Sequence, residues 1–144
     1  YEIPLCDWSS DVCSSDLVDP ALMVKLGGWQ EAGFEGALAL LRRPRRPSAI
    51  FCLNDRAAMG ALDAARELRL RVPQDLSIIG FDNQELIAAH LRPRLTTMQL
   101  PHYEMGAWGV RALLCPEPDS VRQAKLHCPL VRRESVQPPG PDFG

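Results

Sequence analysis

At 144 residues the chain is long enough for about one domain, and 46% hydrophobic residues against 24% charged supply a core and exclude disorder. A formal net charge of -2 gives the chain as a whole no electrostatic case for holding nucleic acid. No stretch approaches the roughly 20 apolar residues that a membrane helix needs, which excludes a membrane partner.

The first seventeen residues differ from everything after them. Trp8 to Leu17 carries the near-repeat SSDVC/SSDL with no helical or strand period beyond it. The run Asp11-Val12-Cys13-Ser14-Ser15-Asp16-Leu17 is similar to the translation of sequencing-adapter DNA. Residues 1–17 are therefore expected to be non-native, and the missing initiating Met points to a fragment. The segment also lacks the basic start and apolar centre of a secretion signal, which fits a cytoplasmic protein.

From Val18 to Gln30 the pattern is weak, with a turn at Gly27-Gly28 before Trp29. Glu31 to Leu41 has helical spacing, with Phe34, Ala37, Leu38 and Leu41 on one face. Arg42-Arg43-Pro44-Arg45-Arg46-Pro47 ends it, since arginine offsets the helix dipole and proline cannot continue the helix. A solvated loop is the expectation for this run, with a phosphate-binding patch as the rival.

Ser48 to Asn83 then reads strand, helix, strand. Ala49 to Leu53 is an apolar run stopped by Asn54-Asp55. Asp55 to Leu68 is helical, and Leu76 to Ile79 is a second apolar run stopped by Gly80-Phe81-Asp82-Asn83. Short apolar runs bounded by turn signals suit parallel strands buried on both faces. In the helix, Ala58, Leu62 and Ala65 form a narrow stripe, and Gly60 allows close approach to a neighbour. Pro73 holds the residue before it extended. Gln84 to His90 reads as a short helix and Arg92 to Gln99 as an extended segment. Pro101 is suited to begin a helix reaching Leu114, with Met105, Trp108 and Ala112 on one side. Residues 116–120 form a turn, Lys125 to Val131 a last strand, and residues 136–144 a flexible tail.

Chemistry is sparse. The five cysteines form no CxxC pair, and the three histidines are scattered, so no metal site and no cofactor are expected. Cys52 falls inside an apolar strand, where a free thiol acts as a small hydrophobe. There is no nucleophile elbow, no phosphate-cradling glycine loop and no catalytic constellation, so no catalytic residue and no enzyme are expected. Ligands of open parallel sheets gather beyond the carboxyl ends of the strands. That places suspicion on Asn54, Asp55, Asp82 and Asn83.

Several runs in order now carry a resemblance. They are Pro47-Ser48-Ala49-Ile50-Phe51, Asn54-Asp55, Ala58-Met59-Gly60-Ala61-Leu62, and Arg71-Val72-Pro73-Gln74-Asp75 running on to Gly80-Phe81-Asp82-Asn83. Pro93-Arg94-Leu95-Thr96-Thr97, Met105-Gly106 and Leu130-Val131-Arg132-Arg133-Glu134-Ser135 follow. Together they make residues 28–139 resemble the C-terminal part of the effector-binding domain of LacI/GalR-type bacterial transcription regulators. The resemblance implies an α/β, periplasmic-binding-protein-like fold: a parallel sheet with flanking helices, the C-terminal subdomain largely present. It implies residues 18–135 as a partial effector domain, with 101–120 belonging to the other subdomain and the stripe around Met105 and Trp108 left poorly covered. It further implies a small-molecule effector, a carbohydrate by preference, a homodimer joined near the helix Asp55 to Leu68, and operator DNA reached only through a headpiece absent here. The alternatives are a transporter's periplasmic sugar-binding protein, which needs a secretion signal, and an α/β enzyme with Asp82 as base.

By the same resemblance Asp82 accepts hydrogen bonds from effector hydroxyls, Asn54 contacts the effector, and Trp29 stacks on its ring. Each residue has a plainer reading: a turn aspartate after Gly80, an N-cap for the following helix, and a packed surface tryptophan. Asp55 reads as structural, an acid favouring the helix dipole. One departure concerns the glutamine that follows Leu-Thr-Thr in the pattern LTTxxQ. Leu100 stands there, with Gln99 one residue early and so turned to the other face of a strand.

Overall fold

The computed structural model describes residues 19–115 and 123–138. The expectations for residues 1–17, for the turn at 116–120 and for the tail from residue 139 lie outside them.

After a single 3-10 turn at Pro20–Leu22, the order is α1 (Gln30–Leu41), β1 (Ala49–Phe51), α2 (Asp55–Glu67), β2 (Ser77–Asp82), α3 (Glu85–Ala88), β3 (Thr96–Gln99), α4 (His102–Leu114) and β4 (Leu130–Val131). The four strands form one sheet in the order β1-β2-β3-β4. β1 and β2 run parallel with Ile50 opposite Ile78, and β2 and β3 run parallel with Asp82 opposite Gln99. β4 is antiparallel to β3, pairing Val131 with Thr97. The sheet is thus mostly parallel, with one reversed strand at its edge. The run expected as a strand from Lys125 pairs only at its last two residues.

The apolar periodicity places the helices well. Two glycines set the distance between α1 and α2. A Cβ at Gly60 would overlap the Gln30 carbonyl and stand 2.6 Å from the Phe34 amide nitrogen; one at Gly33 would overlap the backbone of Ala57. Eight of the thirteen residues of α2 are buried, a wider face than the predicted stripe, because α2 packs on α1, β2 and α3 together. Leu62, Leu76, Ile78 and Leu95 are the large side chains at the centre of the core.

Two expectations need correction. β1 is not buried on both faces: Ile50 and Cys52 point into the core, while Phe51 and Leu53 are 61% and 67% exposed. β1 is an edge strand, and its outer row borders an apolar groove of about 670 Å³ that also touches Met23, Val24, Leu26 and Leu40. Pro101 caps α4 and does not begin it. No residue of α4 is buried, and Tyr103 and Leu113 stand open to solvent. The stripe at Met105 and Trp108 is partly exposed, as the resemblance implied.

The segment Leu95 to Thr97 is clamped by the chain near its end. The Ser135 hydroxyl accepts from Thr96 N–H at 2.8 Å and donates to the Ile78 carbonyl at 2.6 Å, while the Ser135 carbonyl accepts from Ile78 N–H at 2.8 Å. Glu134 is ion-paired with Arg94 at 2.7 Å, and those interactions with Arg94 hold its carboxyl below its ordinary value. Gln137, at the start of the tail, donates to Ser77 Oγ and to the Gln74 carbonyl, both at 3.2 Å.

A paired substitution tests the helix crossing. Gly60→Ala is expected to destabilise the fold by about 1–3 kcal/mol through overpacking. Gly106→Ala, at an exposed site in α4 with nothing within 4 Å, is expected to add about 0.5–1 kcal/mol of helix propensity. Urea unfolding of both variants measures the contrast, and a neutral Gly60→Ala contradicts the close crossing.

Candidate functional site

The carboxyl ends of β1 and β2 and the start of α1 build one cluster. Asn54 is the N-cap of α2: its Oδ1 accepts from Ala57 N–H at 2.8 Å. Its Nδ2 faces Gly28, where a Cβ would approach to 2.7 Å, so the backbone leading into Trp29 lies directly on Asn54. The next residue, Trp29, is the N-cap of α1 and is 65% exposed. The Arg56 guanidinium lies 5.3 Å from the Trp29 ring centroid, a cation–π distance. Arg56 Nε donates to Gln84 Oε1 at 3.4 Å, and Gln84 Nε2 donates to Asp82 Oδ2 at 3.1 Å. A chain of contacts therefore runs from Trp29 through Arg56 and Gln84 to Asp82.

Asp82 is half-buried and has φ 104°, and the following Asn83 has φ 53°. Side chains rarely adopt such angles, and strain of this kind collects at functional sites. Gln84 engages one carboxylate oxygen of Asp82, and a carboxylate has about four acceptor positions, so capacity remains for incoming hydroxyls. Asn83 is tied down: its Nδ2 donates to Gln99 Oε1, and its Oδ1 accepts from Arg133 Nη2 at 2.8 Å. Gln99 Nε2 in turn donates to the Leu100 carbonyl at 3.2 Å. Both ends of the Gln99 amide are thus engaged within the chain.

Asp55 lies beneath this surface and is 0% exposed. Its Oδ1 accepts from Thr97 Oγ1 and its Oδ2 from Gln84 N–H, both at 2.6 Å. Burial pushes its pKa up, the two hydrogen bonds oppose that, Asp82 adds to the rise, and Arg133 lowers it. Reading Asp55 as structural is correct in kind, but its work is to join the start of α2 to β3 and to the loop after β2, and not merely to favour a helix dipole. Beside it, burial and the Asp55 charge raise the Cys52 thiol to about 12, which makes it inert.

The structure thus brings Trp29, Asn54 and Asp82 to one surface. Sequence reasoning gave no argument for Arg56 and Gln84, which connect them. The available signal was position: Arg56 follows Asp55 and Gln84 follows Asp82-Asn83, both just beyond strand ends. Among the described residues no group of three or more His, Cys, Asp or Glu could hold a metal, and no helix is long and apolar enough to cross a membrane.

Comparison with known proteins places this geometry. Residues 16–136 match the Periplasmic binding protein-like domain, and the chain belongs to that family. Within it, the chain is the C-terminal part of an effector-binding domain of the LacI/GalR type. The HTH-type transcriptional repressor PurR of Escherichia coli O139:H28 (strain E24377A / ETEC) is 41% identical over 112 residues, covering 74% of this chain and 32% of the relative. The LacI family transcriptional regulator of Arthrobacter sp. FB24, solved in complex with lactose, aligns with a TM-score of 0.64 at 33% identity, over 76% of this chain and 42% of that one. The LacI family transcriptional regulator of Enterococcus faecium, solved with bound ribose, aligns with a TM-score of 0.64 at 26% identity, over 78% and 42%. The chain spans about a third of the length of the curated relatives it matches. These relatives are transcriptional regulators and not enzymes, which agrees with the non-catalytic reading of the sequence.

Two measurements probe the cluster's base. In Asp55→Asn the Thr97 hydroxyl can turn to accept from the new amide, so both contacts survive without the charge. A raised folded pKa contributes stability below the unfolded value of about 3.9 and loses it as pH rises through the folded value. Urea unfolding from pH 4 upward is therefore expected to move in favour of Asp55→Asn as pH rises, and a pH-independent difference refutes the raised pKa. Alkylation at pH 8 read by mass spectrometry is expected to label Cys115 and Cys128 quickly and to spare Cys52 until unfolding.

Proposed function

We propose that the strand-end cluster is one wall of an effector site for a small hydroxyl-rich molecule, a sugar. Its occupancy would govern DNA binding by a homodimeric, cytoplasmic transcription regulator. The observation that carries this reading is the chain of contacts from the exposed Trp29 ring through Arg56 and Gln84 to Asp82. An aromatic face lies well against sugar C–H groups, and a carboxylate accepts two hydroxyl donors at once. Asn54 Nδ2 and Arg56 add donors at the same edge. The lactose and ribose held by two relatives support a carbohydrate.

In this reading residues 101–120 pack on the other subdomain of the effector domain, and the exposed apolar side chains of α4 are in keeping with that. A ligand that bridges the two subdomains shifts the population towards a closed form. The shift alters the spacing of two headpieces on their half-sites, with the surface along the helix Asp55 to Leu68 as the dimer interface.

Calorimetric titration with lactose and with ribose tests the site. Asp82→Ala is expected to weaken sugar binding about ten- to hundredfold, the loss of about 1.5–3 kcal/mol of hydrogen bonding to a charged group. Gly106→Ala is expected to leave it unchanged. Equal affinity in Asp82→Ala removes that residue from the site, and an absence of heat with both sugars removes lactose and ribose as ligands of this wall.

A further inference from the structure

The strand-end cluster holds an arginine that finds no acid among the described residues. Arg56 is the second residue of α2, in the turn where the helix dipole favours an acid and disfavours a base. Its side chain is exposed and forms no ion pair among the described residues. The neighbouring acids are engaged elsewhere. Both oxygens of Asp55 are taken, by Thr97 Oγ1 and Gln84 N–H, and Asp82 receives the Gln84 side-chain amide. Of the guanidinium nitrogens Nε donates, to Gln84 Oε1 at 3.4 Å, while the central carbon lies 5.3 Å from the Trp29 ring centroid. Nη1 and Nη2, the outer fork, donate to nothing among the described residues.

Local packing accounts for the contacts with Gln84 and Trp29, but not for an arginine. A lysine would supply the cation over Trp29, and a glutamine would supply a donor to Gln84. Neither presents a planar pair of nitrogens with no partner in the protein. Such a fork matches the two oxygens of a carboxylate held in one plane. Asp82 stands one amide away, across Gln84, where it accepts hydroxyls and repels a second acid. The wall therefore has two unlike seats, a cationic one at Arg56 and an anionic one at Asp82. A neutral sugar fills only the second.

We propose that Arg56 sets the specificity of this wall, and that the effector is a sugar acid whose carboxylate meets the Arg56 fork while its hydroxyls meet Asp82. The inference rests on reading the cluster as an effector site, and it adds the charge of the ligand. A monosaccharide acid carries its carboxylate at one end of a row of hydroxyl-bearing carbons, which is the order the wall presents. A dicarboxylate does not fit, because its second acid would fall against Asp82. A phosphoryl group carries about -1.5 to -2 charge at neutral pH, more than one guanidinium offsets with Asp82 close by.

Calorimetric titration of this chain with glucuronate, galacturonate, glucose and glucose 6-phosphate tests the proposal. At least one of the two acids is expected to bind about ten- to hundredfold tighter than glucose, the range for hydrogen bonds to a charged group. Arg56→Gln is expected to bring that ratio to about one, and Arg56→Lys, which keeps the charge without the fork, to retain part of it. A residue that merely held Trp29 in place would change acid and neutral sugar alike and leave the ratio standing. An absence of heat with both acids, a ratio near one in the unaltered chain, or an unchanged ratio in Arg56→Gln overturns the proposal. Glucose 6-phosphate binding tighter than either acid overturns the carboxylate in favour of a phosphorylated sugar. Asp82→Ala separates this inference from the reading beneath it. If that variant leaves every affinity unchanged, the site itself is misplaced. If it weakens acid and glucose alike while the unaltered chain shows no preference for the acid, the site stands and Arg56 is not its selector.

Discussion

A carboxylate taken out of water costs several kcal/mol unless hydrogen-bond donors meet it. Asp55 is met by two: the Thr97 hydroxyl from β3 and the Gln84 amide from the loop after β2. Asp55 itself opens α2 at the end of β1. One buried group therefore fixes β1, β2 and β3 relative to each other near the site, and the residues beside its anchor points inherit that geometry. Arg56 follows Asp55, and Gln84 follows the strained pair Asp82-Asn83. Their contact needs no separate explanation. Gly80 is part of the same arrangement, because any Cβ there would collide with the Asp55 carboxylate.

The runs that betray the family turn out to be chiefly structural. Thr96 and Thr97 are buried, one accepting from Arg133 N–H and the other donating to Asp55. Ser135 bridges β2 and β3 through its hydroxyl, and Glu134 holds Arg94. In a core without water each such polar group must find its partner, so its identity is tightly constrained. Residues facing a ligand answer to the ligand and can vary. The resemblance therefore reads out the fold strongly and the ligand weakly.

How much was legible in the sequence follows from the same distinction. The apolar periods of α1 and α2, the cap at Asn54 and the glycine at position 60 were readable because each is a local pattern; the end of β2 was not, because the strand runs past the apolar run ending at Ile79, through Gly80 and Phe81 to Asp82. The exposed outer row of β1 was not, since Phe51 and Leu53 are as apolar as any buried residue and only the sheet order shows them at an edge. The antiparallel β4 was not readable either, as it depends on a pairing between residues far apart in the chain. Asp55 carried a local role in the sequence, and its partners lie 29 and 42 positions away. Arg56 had no periodic or motif signal, and only the placement of Trp29 gives it one.

The misplaced glutamine bears on what the proposed site can recognise. Gln99 spends its amide on Asn83 and on the Leu100 carbonyl, and Asn83 spends its own on Gln99 and Arg133. Turning Gln99 towards a ligand would leave two part-buried groups without partners, a cost of about 1–3 kcal/mol for each. A new hydrogen bond of about 0.5–1.5 kcal/mol cannot recover that. In the proposed site, recognition at this edge would therefore fall to Asp82, Arg56 and Asn54, with the apolar Leu100 beside Gln99. The ligand that suits such a wall is amphipathic: hydroxyls gathered on one edge, with a face of C–H groups for Trp29.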